Sequence, residues 1–375
     1  MPPTDRPTVV ALEGHGRVRG EMYGSQARDL IGEATARWRA NVLDVAPAGL
    51  GADAYLHALV HDSGYREAVG RRAPDLLEEI AGIADAAGVD EDVVFGMNLL
   101  DEEWVLRDRL VADGGDHHCT SIGQMADGAP VLIAQNLDLK AWMDGLEVLL
   151  ELAPVVVDDD LQPAALVPSV AGMLGTQALN AHGLGVVVNT LAQLPSDPAG
   201  LPVAFVVRLL ARERDVRTAE ALLHALPHAS GQNYLLGDPR EVLAVECSAG
   251  GAVSIAPESI GVAHTNHPLR TPPRSFDDPR AAHRGGQWDW IDNSKTRLQH
   301  AREALGHGRL GLHEVKCLLT TPPVLRGRDG DPGHSLFGIA MECATTPVLH
   351  MSAGEPRLDN FRTFALAPSG HSLAL

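Results

Sequence analysis

The chain has 375 residues, 45% of them hydrophobic and 21% charged, ordinary values for a globular protein with one large core or two modest ones. A formal net charge of −19 and a pI near 5.2, with no Lys/Arg cluster beyond short Arg pairs, exclude the basic footprint of a nucleic-acid binder and oppose docking on anionic membranes. No apolar run approaches the ~20 residues of a membrane span, and the N-terminus lacks the charged and apolar regions of a signal peptide. The four cysteines, Cys119, Cys247, Cys317 and Cys343, form no C-x-x-C pair, which fits a reducing cytoplasm better than a disulfide framework.

In chain order, residues from about 8 to 110 read as mostly helical after a first strand at Val9–Gly14. Helical spacing runs from Gly20 to about Leu43, with Met22, Ala27, Leu30, Ile31 and Ala34 on one side. Pro74 at a helix start with Asp75 in the first turn predicts a helix that stops near Gly88, and Asp90-Glu91-Asp92 starts the next, backed by Val94, Met97, Leu100 and Trp104. Beyond Cys119 the texture changes. Short β-rich runs alternate with turns: Val131–Ala134, Glu147–Leu152, Ala165–Val170, Gly185–Asn189, Tyr234–Leu236, Val242–Cys247, Ala252–Ala256 and Gly261–Thr265. Helix pairs interrupt them at Val203–Arg212 with Thr218–Leu226, and at Lys295–Ala304 with Leu312–Leu319. Strands return at Ser335–Glu342, Pro347–Ser352 and Phe361–Leu366. Strands interleaved with helix pairs predict an α+β layered fold, with Leu269–Gly286 as a long surface loop.

Cys119 opens Cys119-Thr120-Ser121, followed by a turn at Ala126–Ala129 and a β-run that ends in Gln135-Asn136-Leu137-Asp138. The pattern is a hairpin that begins with a cysteine. Such a residue is either small buried filling, the usual fate of a free cysteine, or a nucleophile. In a hairpin the end of the second strand returns beside the start of the first, so Asp138 can lie near Cys119, unless it merely caps a turn. Asn180 to Thr190 reads as a tight turn, a buried strand and a terminal Asn189. Val262 to Pro268 places Asn266 after a strand, between His264 and His267. Either asparagine can end a strand, or donate its side-chain N–H to an oxyanion. The pairs His264/His267, His57/His61 and His117/His118 lack a marked third ligand, so no metal is expected. Asn293-Ser294-Lys295-Thr296-Arg297 opens a helix with Ser294 as N-cap, and Arg297 is either structural, the favoured reading, or faces the site.

Together these pieces resemble the acyl-coenzyme A:6-aminopenicillanic acid acyltransferase family, the C45 peptidases. Arg17-Val18-Arg19-Gly20-Glu21-Met22-Tyr23-Gly24 is similar to its opening turn, and Leu77–Ala84 to its E-E-I-x-G-I-A helix. Cys119-Thr120-Ser121 is similar to its C-T-[ST] cleavage site, Ala134–Asp138 to its G-Q-N-W-D, and Asn180–Asn189 to its N-x-x-G strand. His264-Thr265-Asn266-His267 is similar to its H-T-N-H, and Ser335-Leu336-Phe337 to its T-L-F strand. The resemblance implies an N-terminal-nucleophile hydrolase with a four-layer αββα sandwich. It implies autocleavage between His118 and Cys119, separating a mainly helical segment 1–118 from a core 119–375 within one structural domain. Cys119 would be the nucleophile and Asn266 the oxyanion donor. Asp138 would be the substrate-side carboxylate, Asn189 a second polar wall, and Gln135 and Leu137 neighbours of the substrate. The chain departs from the family at three places. His118 stands where a fungal member of that family has Gly, and Leu137 where the motif has Trp. Asp331-Pro332-Gly333-His334 stands where an Arg precedes T-L-F, so either Arg326 or Arg328 pairs with Asp138 or that ion pair is absent.

The expected function is a self-processing cysteine amidohydrolase that cleaves a small N-acyl or aminoacyl amine through a thioester. An acyltransferase is the alternative, and an uncleaved binding protein or a metal-dependent amidase are the rivals. The expected partners are a small amide or thioester substrate and the two fragments of one precursor, with homo-oligomers left open. No cofactor, nucleic acid or membrane is expected.

Overall fold

The computed structural model describes residues 6–46, 49–111, 118–125, 128–272, 289–328, 333–366 and 372–374. The N-terminal segment begins with β1 (Thr8–Leu12). Seven α-helices follow: α1 (Gly16–Gln26), α2 (Arg28–Val45), α3 (Ala52–His57), α4 (Tyr65–Arg72), α5 (Pro74–Ala87), α6 (Glu91–Met97) and α7 (Leu100–Val111). The single helix expected from Gly20 to Leu43 is two, because the chain leaves helical geometry at Ala27. The helix after Asp90 is likewise two, broken after Met97. Its start is as expected, since the Asp90 side chain accepts from the Asp92 N–H. Gly88, in the left-handed region, closes α5 as the sequence indicates.

The hairpin after Cys119 is β2 (Thr120–Gln124) with β3 (Val131–Lys140), and β3 continues past Asp138. Then come β4 (Glu147–Leu152), β5 (Val155–Val157), β6 (Asp160–Gln162), β7 (Ala165–Val170), β8 (Ala178–Asn180) and β9 (Gly185–Thr190). They are followed by α8 (Val203–Leu210), α9 (Val216–Ala225), β10 (Gln232–Gly237), β11 (Val242–Ser248), β12 (Gly251–Ile255) and β13 (Gly261–His264). The chain finishes with α10 (Asp289–Gly306), α11 (Leu312–Leu319), β14 (Gly333–Cys343), β15 (Val348–Ser352), β16 (Phe361–Leu366) and β17 (Ser372–Ala374). Most of the loop expected at Leu269–Gly286 and residues 126–127 of the hairpin turn lie outside the described residues. Ser294 lies inside α10 and does not cap it.

Two sheets stack face to face. One runs β1-β4-β7-β8-β9-β10-β11-β12 and the other β13-β2-β3-β14-β15-β16-β17. β1 joins β4 in parallel, so the N-terminal segment is built into the first sheet rather than appended to it. α8 and α9 pack on the first sheet, α10 and α11 on the second, completing the αββα sandwich. The pleat of β3 explains two cores. Leu132 and Ala134 face α10 and α11 with Leu298, Ala301 and Leu318, while Val131 and Ile133 face the other sheet. α1 crosses α5 at glycines: a Cβ on Gly20 would collide with the Glu79 carbonyl, and one on Gly82 with that of Arg17. Beside this contact Arg208 on α8 grips buried Glu79 through two bonds of 2.8 and 2.9 Å. Removing one partner of such a pair costs about 3–5 kcal/mol.

Candidate active site

Cys119 stands one residue before β2. On one side β2 pairs with β13, His264 facing Ser121, so Thr265 and Asn266 continue alongside Thr120 and Cys119. On the other side it pairs with β3, Thr120 facing Asn136, which brings Leu137 and Asp138 beside Cys119. Two motifs more than a hundred residues apart in sequence are thus delivered to either side of one thiol by strand register alone.

Arg297 holds this centre together. Its guanidinium, 1% exposed, donates from Nη1 to the Cys119 carbonyl at 2.6 Å and to Thr120 Oγ1 at 2.9 Å. Nη2 donates to Asn266 Oδ1 at 3.1 Å, and Nε to Asn293 Oδ1 at 2.8 Å. The sequence left this arginine either structural, the favoured reading, or facing the site. The spacing of Asn293 and Arg297, one helical turn apart, was the signal available. Ser294 Oγ accepts the Asn266 backbone N–H at 2.9 Å and lies 2.8 Å from His267 Nδ1.

Arginine can only donate, so the Asn266 atom facing it is oxygen and the amide NH2 points the other way. It donates to the Thr190 carbonyl at 3.1 Å, leaving its second hydrogen for another acceptor. Asn189 is buried, and its Oδ1 accepts from Ser121 Oγ at 2.6 Å and Asn233 Nδ2 at 3.0 Å. Its Nδ2 meets no acceptor among the described residues. Gln135 is occupied between the sheets, donating to the Val188 carbonyl and accepting from Gln177 Nε2 at 2.8 Å. It does not line the cavity beside Cys119, whereas Leu137 does.

Cys119, Asp138, Asp101 and Thr190 share that cavity with apolar walls that include Leu100, Trp104, Met173, Val203 and Val207. Asp138 is 3% exposed. Ser335 Oγ donates to its Oδ1 at 2.6 Å, while Oδ2 has no donor among the described residues. Burial pushes the Asp138 carboxyl up to about 6, against the pull of Ser335 and the charges of Arg297, His118 and Arg326. Of the two arginines expected to pair with it, Arg328 pairs instead with Asp144 at 2.7 Å. Burial, and then the Asp138 charge, push the Cys119 thiol up to about 12 in this uncleaved chain, while the Asp138 backbone N–H and Arg297 favour the thiolate.

Asp101 was not singled out in the sequence, because it reads as one more acid on an amphipathic helix. Both hydrogen bonds it receives fall on Oδ2, from Thr190 Oγ1 at 2.8 Å and Gln232 Nε2 at 2.6 Å. Buried Glu102 follows, accepting from Ser230 Oγ at 2.6 Å. Burial raises both carboxyls, and the Asp101 charge raises Glu102 further.

His264, a candidate metal ligand by spacing, is committed elsewhere. Its Nε2 lies 2.9 Å from Glu246 Oε1, and Glu246 also accepts the backbone N–H groups of Leu269, Arg270 and Thr271. Burial opposes the charge of Glu246, yet the His264 bond and these N–H groups hold it down at about 2.

The model of the family described as acyl-coenzyme A:6-aminopenicillanic acid acyl-transferase matches residues 160–308. The match bears out the resemblance seen in the motifs, and it spans the positions of Asn189, Asn266 and Arg297. It agrees with the expected class of enzyme, an amide hydrolase or acyltransferase. Among solved structures the chain is similar to a mutant of the conjugated bile acid hydrolase from Clostridium perfringens. The identity is 12%, over 68% of this chain and 96% of that one, with a TM-score of 0.48. It is also similar to penicillin V acylase from Agrobacterium tumefaciens, at 16% identity over 66% of this chain and 91% of that one, with a TM-score of 0.42. No curated protein matches the chain. No helix among the described residues is long and apolar enough to cross a membrane.

Proposed function

We propose that this chain is a self-processing cysteine amidohydrolase that frees the α-amine of Cys119 and then cleaves a small N-acyl or aminoacyl amine. The observation that carries the reading is the placement of Cys119 at a strand start, its carbonyl gripped by Arg297, with the open oxygen of Asp138 and an apolar cavity beside its thiol. In processing, Sγ of Cys119 attacks the carbonyl carbon of His118, and its proton passes to Asp138. The C–N bond breaks, the proton moves on to the departing nitrogen, and water hydrolyses the thioester. The products are Met1–His118 and Cys119–Leu375. The heavy fragment keeps a free thiol and gains an α-amine, held beside Asp138 Oδ2.

In turnover that amine takes the thiol proton and returns it to the leaving amine of the substrate. The amide hydrogens of Asn266 and Asn189 are the donors available to the tetrahedral oxyanion. The thioester then passes to water. Where an amine replaces water the same site is an acyltransferase, the alternative favoured by the family's description. Asp101 on the cavity wall supports aminoacyl groups as substrates, since a carboxylate there attracts an ammonium. Four cysteines without a disulfide support a reducing, cytoplasmic site of action.

The test is intact-mass spectrometry and N-terminal sequencing of purified protein, with a panel of N-acyl and aminoacyl amides. We expect two fragments meeting at His118 and Cys119, a trapped acyl-enzyme with slow substrates, and one inert chain for Cys119→Ala. An active enzyme still joined at His118–Cys119 overturns the processing step. An inert, uncleaved wild-type chain favours the binding-protein reading.

A further inference from the structure

The bond proposed to be cut is held from both sides by one helix. On its C-terminal side, Arg297 Nη1 donates to the Cys119 carbonyl at 2.6 Å. On its N-terminal side, His118 Nδ1 lies 3.0 Å from Asn293 Oδ1. The two anchors are residues 293 and 297 of α10, so one turn of helix places them on one face. They are also bonded to each other, Arg297 Nε to Asn293 Oδ1 at 2.8 Å. Arginine has no acceptor, so the Asn293 atom at this junction is oxygen, and His118 Nδ1 must be the second donor to it. The imidazole is thereby fixed with its hydrogen on Nδ1, and the bond survives protonation of the ring, since both nitrogens then donate. The His118 ring is 8% exposed, packed against the site rather than trailing from it.

We propose that Asn293 is a positioning residue for self-cleavage, acting through His118 to hold the N-terminal half of the scissile peptide while Arg297 holds the other half. The inference rests on the processing reading above. A glycine before the nucleophile would ease a strained turn through its own backbone freedom. Histidine has less backbone freedom, and it carries a handle that the helix grips. Fixing both flanks confines the His118 carbonyl carbon to the reach of the Cys119 thiol, the kind of orientational gain that a displaced anchor forfeits. The chemistry is the balanced step already given, with Sγ–C forming, C–N breaking and water completing the cut. Asn293 takes no proton in it.

The experiment is pulse-labelled cell-free synthesis of the full chain, following precursor and fragments by denaturing electrophoresis. Asn293→Ala should slow cleavage by about ten-fold or more. Asn293→Asp keeps an oxygen for both donors and should remain within about three-fold of wild type, because orientation and not bulk is what is lost. In a His118→Gly background the handle is gone, and Asn293→Ala should add less than about two-fold, a non-additivity that a general role in helix stability would not produce. Asn293 is exposed, so a matched melting temperature for the Asn293→Ala precursor, made in the Cys119→Ala background, separates slow chemistry from failed folding. Wild-type speed for Asn293→Ala, or additive effects with His118→Gly, overturns the clamp and leaves processing intact. A wild-type chain that never divides overturns both.

Discussion

The two flanks of Cys119 differ in how fully their polar groups are used. On the flank built from β13 and α10, Asn266 has its backbone N–H, carbonyl, Oδ1 and one amide hydrogen engaged, with Ser294, Gln193, Arg297 and Thr190. On the flank built from β3 and α7, Asp138 Oδ2 and Glu102 Oε2 are buried without a donor among the described residues, and Asp101 faces an apolar cavity. A saturated network is rigid, whereas an unfilled buried acceptor carries a desolvation cost that a ligand can relieve. On the function proposed above, the first flank would hold geometry and the second would receive the freed α-amine and the substrate.

The largest effect expected tests the rigid flank. Asn266→Ala should lower kcat by roughly 10²–10³, the usual loss for one oxyanion donor, with little change in KM because the bond strengthens only in the transition state. Asn266→Asp keeps an oxygen for Arg297 but loses the N–H, so it should process yet turn over as poorly as the alanine variant. Single-turnover kinetics on the mature enzyme check both. An unchanged kcat would move the donor to Asn189, whose Nδ2 meets no acceptor among the described residues.

A second prediction of intermediate size concerns the strut behind that flank. Glu246 ties β11 to β13 and to the start of the chain after Pro268, and its folded pKa of about 2 lies below the ordinary 4.5. A depressed carboxyl contributes stability that is present above its unfolded pKa and lost as pH falls through its folded one. That contribution is about 3 kcal/mol at neutral pH. Asp138, raised to about 6, works in the opposite sense, since the folded chain holds its proton more tightly and loses stability as pH rises from about 4 to 6. The difference in unfolding free energy between wild type and Glu246→Gln isolates the first effect. It should be constant above about pH 5 and shrink steadily toward pH 2. A difference independent of pH would mean that Glu246 acts by packing alone.

Much of this architecture was legible in the sequence, and the reasons are local. Most strands from β4 to β16 carry alternating or largely apolar runs closed by Gly, Pro or Asn, so their places were read within one or two residues; the three-residue strands β5, β6 and β8 were missed because so short a run carries no period. Cys119 and Asp138 could be paired because a hairpin's register follows from its own two strands. Arg297, for which a structural role was favoured, and Asp101, which was not singled out, were hard to place for a shared reason. Each is a charged residue on a helix with an ordinary pattern, and only the packing of that helix onto a particular strand end turns it toward the site. Ser294 looked like a cap because Ser before a run of helix formers usually is one; α10 starts earlier, at Asp289, and the hydroxyl serves Asn266 instead. The break at Ala27 was hidden because both halves of the segment favour helix.

The smallest effect expected tests the receptive flank. Asp101 and Asp138 both line the cavity, but they are not equivalent toward a substrate. If processing occurs as proposed, the α-ammonium of Cys119 would lie beside Asp138 and satisfy its open oxygen, leaving that carboxylate spent within the enzyme. Asp101 keeps one oxygen clear of the bonds from Thr190 and Gln232. An acyl chain ending in an amine could reach it across an otherwise apolar wall. Coulomb attraction of about 1–4 kcal/mol at ~4 Å, depending on hydration, predicts that kcat/KM for an aminoacyl amide exceeds that of its carbon isostere by about ten-fold. Asp101→Asn should remove the preference while leaving the neutral series cleaved, because the amide still accepts from Thr190 and Gln232. Burial raises the Asp101 carboxyl, and a protonated Asp101 would bind an ammonium poorly, so the preference should weaken as pH falls. A neutral acyl series preferred by wild type would mean that Asp101 stays protonated, and the cavity would then select chains by apolar fit alone.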